Sequence, residues 1–483
     1  MKGGGQKIPA PLSVPGLAGV LLIAAATCLG SCTPHVGGND QPMSLLLVVV
    51  DTLRADHLGP WRDAGAGETV TPALDQLADE AIVFDRAFSP APFTMPAMAA
   101  TMTGRWPDRV GVVNHDRLTT LPGNYPLLSQ LALEAGYLTA AVVTNPWLAR
   151  RKSGFGRGFE DWYDGEGAGS HPRRGAAAVT RQAEEWLNKN SSEPFLLWTH
   201  YMDTHMPYRP DPACKPRPGS LQRSSKVISD FVEGRLQPQE IYFGVRGYAE
   251  SDLEATRLIY DDALYCVDQQ LGRLLATLQE LEIADSTVVV FMADHGESLG
   301  DHGLYFAHDF TLYEELLHVP MMMRVPGLTP GRRPDPVSLV DVLPTICELM
   351  KLDCPQRMDG QDLLGHAPTN DRVLFAAGPP ARERYSMNPR QPVAGLAGRW
   401  TAATRSSLKL IHLPWPGGAR MELYDLERDP MEKENLFGQV DSSLLQEQLR
   451  NWRRQGDQQR PEAAQSPLGP DRLQQLRELG YLR

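Results

Sequence analysis

Three separated segments place charged and hydroxyl side chains where apolar runs end or begin: LLLVVVDTLRADHLG at 45–59, FTMPAMAATMTGRWP at 93–107 and STVVVFMADHGESLG at 286–300. Leu45–Val50 and Ser286–Ala293 are short, nearly continuous apolar runs, the pattern of strands buried on both faces. Leu138–Thr144 and Phe195–His200 are further strands by the same criterion. Between them lie helical patterns. Thr71–Ala81 carries a proline near its start, Pro96–Thr103 is rich in Ala and Met, and Ser251–Leu281 is long and amphipathic. Strand alternating with helix predicts an α/β sandwich around a mostly parallel central sheet. Such sheets bind ligands beyond the carboxyl ends of their strands. Asp51, His200 and Asp294 all fall there.

Together the three segments could bring Asp51, Thr94, Asp294 and His295 to one metal ion. A hydroxyl beside two carboxylates and an imidazole suggests a metal-activated nucleophile for ester hydrolysis. Plainer roles exist for each. Asp51 or Thr94 could cap a helix, and Asp294-His295 could be an ion pair in a loop. Gly296 would let the chain turn, so that Asp294 and His295 converge.

The arrangement resembles the sulfatase family of the alkaline phosphatase superfamily. The resemblance runs from about residue 44 to about 436, in six blocks in the family's order. They are Asp51-Thr-Leu-Arg-Ala-Asp-His-Leu-Gly59, the Thr-Gly-Arg-Trp-Pro at 103–107, and His200-Tyr-Met-Asp-Thr-His205-Met-Pro-Tyr208. Then come Ala-Asp294-His295-Gly-Glu-Ser-Leu-Gly-Asp-His-Gly303, Leu339-Val-Asp-Val-Leu-Pro-Thr345 and Glu422-Leu-Tyr-Asp-Leu-Glu-Arg-Asp-Pro430. The resemblance implies a hydrolase with a small antiparallel C-terminal subdomain. It also implies metal ligation by Asp51, Asp294 and His295, and contact of His205 and His308 with the ester or its leaving group. His200 reads as a supporting residue, and Asp301 and His302 as structural.

Three departures alter the expected chemistry. The family block Cys (or Ser)-x-Pro-Ser-Arg, whose first residue becomes formylglycine, reads Thr94-Met-Pro-Ala97-Met98 here. Threonine is not a substrate for that oxidation, but it is the nucleophile of phosphodiesterases and phosphoethanolamine transferases in the superfamily. Thr52 stands where calcium-binding members carry a second Asp. Thr144-Asn145-Pro146 stands where many carry Lys-x-His. Asp203 and His205 lack the D-x-x-x-H spacing of a two-metal site, so one divalent ion is expected. Four ligands including a nitrogen favour zinc or manganese, with calcium possible. With fewer cations, the site suits a less charged ester, a sulfate monoester or a phosphodiester. The expected activity is metal-dependent hydrolysis of sulfate or phosphate esters with Thr94 as nucleophile. The alternatives are a phosphoethanolamine-type transferase, which usually has several transmembrane helices, and an inactive binding protein that keeps the fold.

Composition bounds the partners. With 47 basic and 59 acidic residues the net charge is −12, which argues against nucleic acid and leaves a small-molecule, glycan or lipid ester as substrate. Lys2 and Lys7 precede an apolar stretch, Leu17–Leu29, too short to span a bilayer comfortably. It ends in Leu29-Gly30-Ser31-Cys32, which looks like a bacterial lipoprotein box. The expected product is exported and membrane-anchored through a lipid on Cys32 in a bacterial cell envelope; an ordinary secretory signal is the alternative. Export permits disulfides. Cys347 and Cys354 could pair across a helix end or remain separate thiols. The expected organisation is a signal peptide at 1–32, a tether at 33–43, a catalytic domain at 44–365, a C-terminal subdomain at 366–438 and a helical tail at 439–483. Residues 207–245, rich in Pro, Arg, Lys and Ser, read as a surface insertion beside the site. Arg372–Ala377, Leu408–Leu413 and Glu422–Leu426 read as short strands, and Gln455–Pro470 as a polar break in the tail.

Overall fold

The computed structural model describes residues 42–465, apart from 63–68, 114–118, 165–174, 219, 221–222, 237–246, 310, 366–370, 381–397, 416–417 and 460–463. The chain is α/β. Its strands β1 (Ser44–Val50), β2 (Ile82–Phe88), β3 (Leu138–Val143), β4 (Asp161–Tyr163), β5 (Phe195–Tyr201), β6 (Thr287–Ala293), β7 (His318–Val319), β8 (Met321–Arg324) and β9 (Gly331–Ser338) form one sheet. The order is β7-β2-β8-β6-β1-β5-β3-β4, with β9 also on β2. The run from β6 to β4 is wholly parallel, and β7 and β8 are antiparallel to their neighbours.

Register puts the chemistry on one edge. Val50 pairs with Ala293 on one side and Tyr201 on the other, and Val143 pairs with His200. Asp51, Asp294 and Asn145 therefore emerge together at the carboxyl ends of adjacent strands. Every residue of β1 and β6 is buried, as their uninterrupted apolar sequences require for a sheet covered on both faces. The helices that cover it include α1 (Pro72–Asp79), α2 (Thr94–Thr103), α3 (Ala176–Asn190) and the 31-residue α5 (Glu250–Glu280), and α4 (Lys226–Val232) packs against α5. α2 is buried on all sides, which its run of small and flexible apolar residues permits. It stops at Gly104, which takes the left-handed conformation (φ 64°).

A four-stranded antiparallel sheet follows, β10 (Val373–Pro380), β11 (Arg399–Arg405), β12 (Leu408–Trp415) and β13 (Gly418–Asp425) in that order. Sequence reading missed β11. Its Arg-Trp-Thr-Ala-Ala-Thr-Arg has weak apolar alternation, and tertiary pairing with both neighbours makes it a strand. The tail helix α7 (Ser443–Gln459) follows α6 (Val342–Met350) and runs through Gln455, where a polar break was expected. Among the described residues of the 207–245 stretch, several side chains are buried. Tyr208, Val227 and Leu236 are buried against Leu253, Ile259 and Tyr260 of α5. Cys214 is disulfide-bonded to Cys266 of α5, and Cys347 to Cys354 just beyond α6, which answers the question left open for that second pair. The expected signal segment, Cys32 and nearly all of the tether lie outside the described residues, as do 466–483. Among the described residues no helix is long and apolar enough to cross a membrane.

Candidate active site

Asp51 leaves β1 fully buried, its N–H bonded to Tyr201 O at 2.9 Å. The next residue, Thr52, has φ 58°, rare for a β-branched side chain and a locally strained backbone. Its hydroxyl lies 2.6 Å from both Asp51 O and Thr204 O, so it secures the turn and faces backbone. Across the edge, Asp294 Oδ1 accepts from the N–H groups of His295 (2.9 Å) and Thr52 (3.3 Å). Its Oδ2 is buried without a hydrogen-bond donor. Burial pushes the Asp294 carboxyl up to about 7, against the opposing effect of those two N–H groups and, more weakly, of the nearby Thr94 hydroxyl.

His295 Nδ1 lies 3.0 Å from Gly296 O. A carbonyl can only accept, so Nδ1 carries the hydrogen and Nε2 presents its lone pair. That Nε2 lies 3.7 Å from Asp51 Oδ1 and 3.6 Å from Asp294 Oδ2. Burial, with His308 next in effect, holds His295 down to about 4 and hence neutral. One ligand atom from each of Asp51, Asp294 and His295 falls within 4.8 Å of the others. A neutral imidazole lone pair, two carboxylates and an orphaned buried oxygen form a donor set that fits a divalent cation. Glycine at 296 has a reason other than the turn freedom expected of it. A Cβ there would lie 2.0 Å from Glu315 O.

Thr94 opens α2, 2% exposed. Its Oγ1 lies 3.5 Å from Asp51 Oδ2, 3.4 Å from His295 Nε2 and 3.1 Å from Asn145 Nδ2. The cap position belongs to Phe93. The hydroxyl points into the cluster, at the positive end of a ten-residue helix dipole. No lysine or arginine is among these contacts.

The rings of His205 and His308 lie 4.9 Å apart, and the ring of His308 lies 4.7 Å from that of His295. His205 Nδ1 bonds Met206 O at 2.6 Å, and His308 Nδ1 lies 3.0 Å from Glu297 Oε1. Burial pushes Glu297 up to about 8 and Asp309 up to about 6. His200 stands behind Asp51, Nε2 to Oδ2 3.8 Å, and burial holds it down to about 3. Asp203 accepts from Ala176 N at the start of α3. Asp301 pairs with Arg54, and His302 stacks on Tyr313 between Glu315 and the Glu432 carbonyl.

The structure thus gathers Asp51, Thr94, Asp294, His295, His205 and His308 around one buried point and turns Asp203 and His302 to structural contacts. Sequence reasoning missed Asn145 and Glu297 as contributors. Asn145 was visible only as a missing cation. Glu297 carried a weak signal, an acidic residue two places past His295 in an apolar setting.

Residues 44–352 match the family profile described as Sulfatase, and residues 300–459 match that of the N-sulphoglucosamine sulphohydrolase C-terminal region. Iduronate 2-sulfatase of Homo sapiens is 26% identical over 490 residues, spanning 79% of this chain and 85% of its own. N-acetylglucosamine-6-O-sulfatase of Bacteroides thetaiotaomicron is 23% identical over 515 residues, spanning 89% of each. Among solved structures, the phosphonate monoester hydrolase of Agrobacterium radiobacter superposes with a TM-score of 0.65 at 19% identity, over 89% of this chain and 100% of that one. A protein solved with its substrate D-glucosamine-2-N,6-O-disulfate gives 0.64 at 20% identity, over 87% and 98%. These two structural likenesses show a shared fold. With the Sulfatase match extending from β1 to just past α6 and the metal-ligand cluster lying inside it, the chain belongs to the sulfatase family of ester hydrolases.

Proposed function

We propose that this chain hydrolyses monoanionic sulfate or phosphate esters with Thr94 as the nucleophile, in a bacterial cell envelope to which a lipid on Cys32 anchors it. The observation that carries the reading is the setting of Thr94 Oγ1, buried between Asp51, His295 and Asn145 at a helix N-terminus. Asp51, Asp294 and His295, with Thr94, would hold one divalent ion, zinc or manganese in preference to calcium because of the nitrogen ligand. Such an ion supplies charge neutralisation at the ester and favours the ionised hydroxyl.

The chain's own residues do the rest. Thr94 Oγ1 bonds to sulfur or phosphorus as the bond to the leaving alcohol breaks. Thr94 gives up its proton to solvent and the alcohol oxygen gains one from His205 or His308. Water then attacks the same sulfur or phosphorus, returns one proton to that histidine and displaces Thr94 Oγ1, which regains its hydrogen from solvent; a sulfate ester releases sulfate and a phosphodiester releases a phosphate monoester. Because Thr94 meets no cationic side chain among the described residues, a dianionic phosphate monoester is the disfavoured substrate. Relatives that act on sulfated sugars support a glycan or small-molecule ester for the catalytic domain at 44–365. The C-terminal subdomain at 366–438 and the tail at 439–483 complete the proposed organisation.

The test is metal content, together with rates on matched aryl sulfate and aryl phosphodiester substrates, for wild type and Thr94→Ala. One bound metal and a loss of at least about 10³-fold in kcat support the reading. Undiminished turnover in Thr94→Ala refutes the nucleophile, and an inert, metal-free wild type refutes the enzyme.

A further inference from the structure

Asn145 touches Thr94 Oγ1 but takes no part in the chemical steps proposed for it. Fully inside the protein at 1% exposure, it follows β3 and caps the turn Pro146–Leu148. Pro146 has no N–H, so the first donor of that turn is Trp147 N, which donates to Asn145 Oδ1 at 2.8 Å. That contact fixes which end of the amide is oxygen. Both Nδ2 hydrogens are then directed at the site, one to Asp51 Oδ2 at 2.6 Å and one to Thr94 Oγ1 at 3.1 Å. An amide nitrogen has two hydrogens and both are used.

The consequence for Thr94 is a matter of counting. Its hydroxyl has one hydrogen and two lone pairs. Asn145 holds one lone pair. The neighbours at 3.4–3.5 Å, His295 Nε2 and Asp51 Oδ2, present only lone pairs, so the hydrogen belongs on their side. Once that hydrogen is lost the oxygen has three lone pairs, of which Asn145 takes one, the ion would take another and the third is left for the substrate.

We propose that Asn145 is the positioning residue for Thr94: it orients the hydroxyl for attack and holds the oxygen as its charge develops. This takes the place of the cationic pair missing from 144–146, and it rests on the reading of Thr94 as nucleophile. In the step it serves, the Oγ1 proton is released to solvent and Oγ1 bonds to sulfur or phosphorus. The bond to the leaving alcohol breaks with its electron pair, and that oxygen takes up a proton.

Asn145→Ser separates this role from turn capping. A serine oxygen can still accept from Trp147 N but carries no amide donor toward Thr94. We expect kcat to fall by about 10²–10³-fold, as for removal of an oriented oxyanion donor, with KM changed by less than about threefold. Bound metal is retained, and the covalent Thr94 adduct, followed by intact mass after rapid quenching, forms more slowly. Asn145→Asp keeps the shape and the Trp147 contact but replaces both donors by an acceptor, so it is impaired at least as much. Wild-type kcat in either variant overturns the proposal, as does loss of metal from Asn145→Ser, which would place the role at Asp51. If Thr94→Ala itself turns over normally, the nucleophile assignment fails instead, and the two failures are distinguishable.

Discussion

At the scale of single residues the site is a set of polar atoms that the sheet edge holds in a dry setting. Asp294 Oδ2 is buried with no donor, a cost that a bound cation offsets and bulk water cannot. Replacing that oxygen by a neutral amide therefore has opposite effects in two conditions. Asp294→Asn weakens metal binding, and it stabilises the metal-free protein by about 1–3 kcal/mol, the cost of an unsatisfied buried group. Thermal unfolding with a chelator places the variant above wild type, and with added metal below it. A variant less stable than wild type in both conditions would count against a metal at this point. Thr52 and Gly296 serve the same cluster through backbone, one by a strained φ, the other by admitting Glu315 O where a Cβ would collide.

At the scale of elements, the apolar runs that follow from period and length became β1, β3, β5 and β6, within a residue or two of their expected ends. The carboxylates that follow β1 and β6 were legible for the same reason, since a charge directly after a buried strand has few places to go. Asn145 was not legible in its role, because its meaning lies in atoms of Asp51 and Thr94 that are distant in sequence. β11 was hidden because its pairing, and not its own pattern, makes it a strand. A further element-level device is Asp268 of α5, whose carboxylate accepts from Ala73 N (3.1 Å) and Leu74 N (2.8 Å) at the start of α1. Burial pushes Asp268 up to about 7 despite those bonds. The folded value lies above the ordinary carboxylate value, so its contribution to stability is present below that ordinary value and is lost as pH rises through about 7. Between pH 5 and 8 we expect about 2–3 kcal/mol of stability to disappear from this group, measured by denaturant unfolding, with a flatter profile in Asp268→Asn. Identical profiles for the two proteins would show that Asp268 is ionised throughout.

At the scale of the whole molecule, none of the described residues of the C-terminal sheet belongs to the metal-ligand cluster. Lys409 on β12 is fully buried, with its ammonium 2.7 Å from Glu314 and 2.9 Å from Glu432, and those two carboxylates raise its pKa against the effect of burial. Glu432 also accepts from Glu314 N at 2.6 Å. Glu315, next in the chain, is the residue whose carbonyl occupies the space left by Gly296, beside His295. A continuous path therefore runs from β12 through Lys409, Glu314 and Glu315 to the turn that carries the imidazole. Removing one partner of a buried ion cluster leaves the others uncompensated, so Lys409→Ala should cost about 3–5 kcal/mol in unfolding free energy. Because the path ends at His295, the folded variant should also bind metal more weakly than wild type, although the substitution lies in another sheet. Lys409→Met with Glu432→Gln removes one charge of each sign, restoring the cluster's net charge, and should recover part of both losses. Metal titration of the three proteins at a temperature where all are folded separates the outcomes. Unchanged metal affinity in Lys409→Ala would mean that the sheet supports stability alone, whereas a loss that the paired variant partly restores would make the C-terminal sheet the brace of the metal-binding turn.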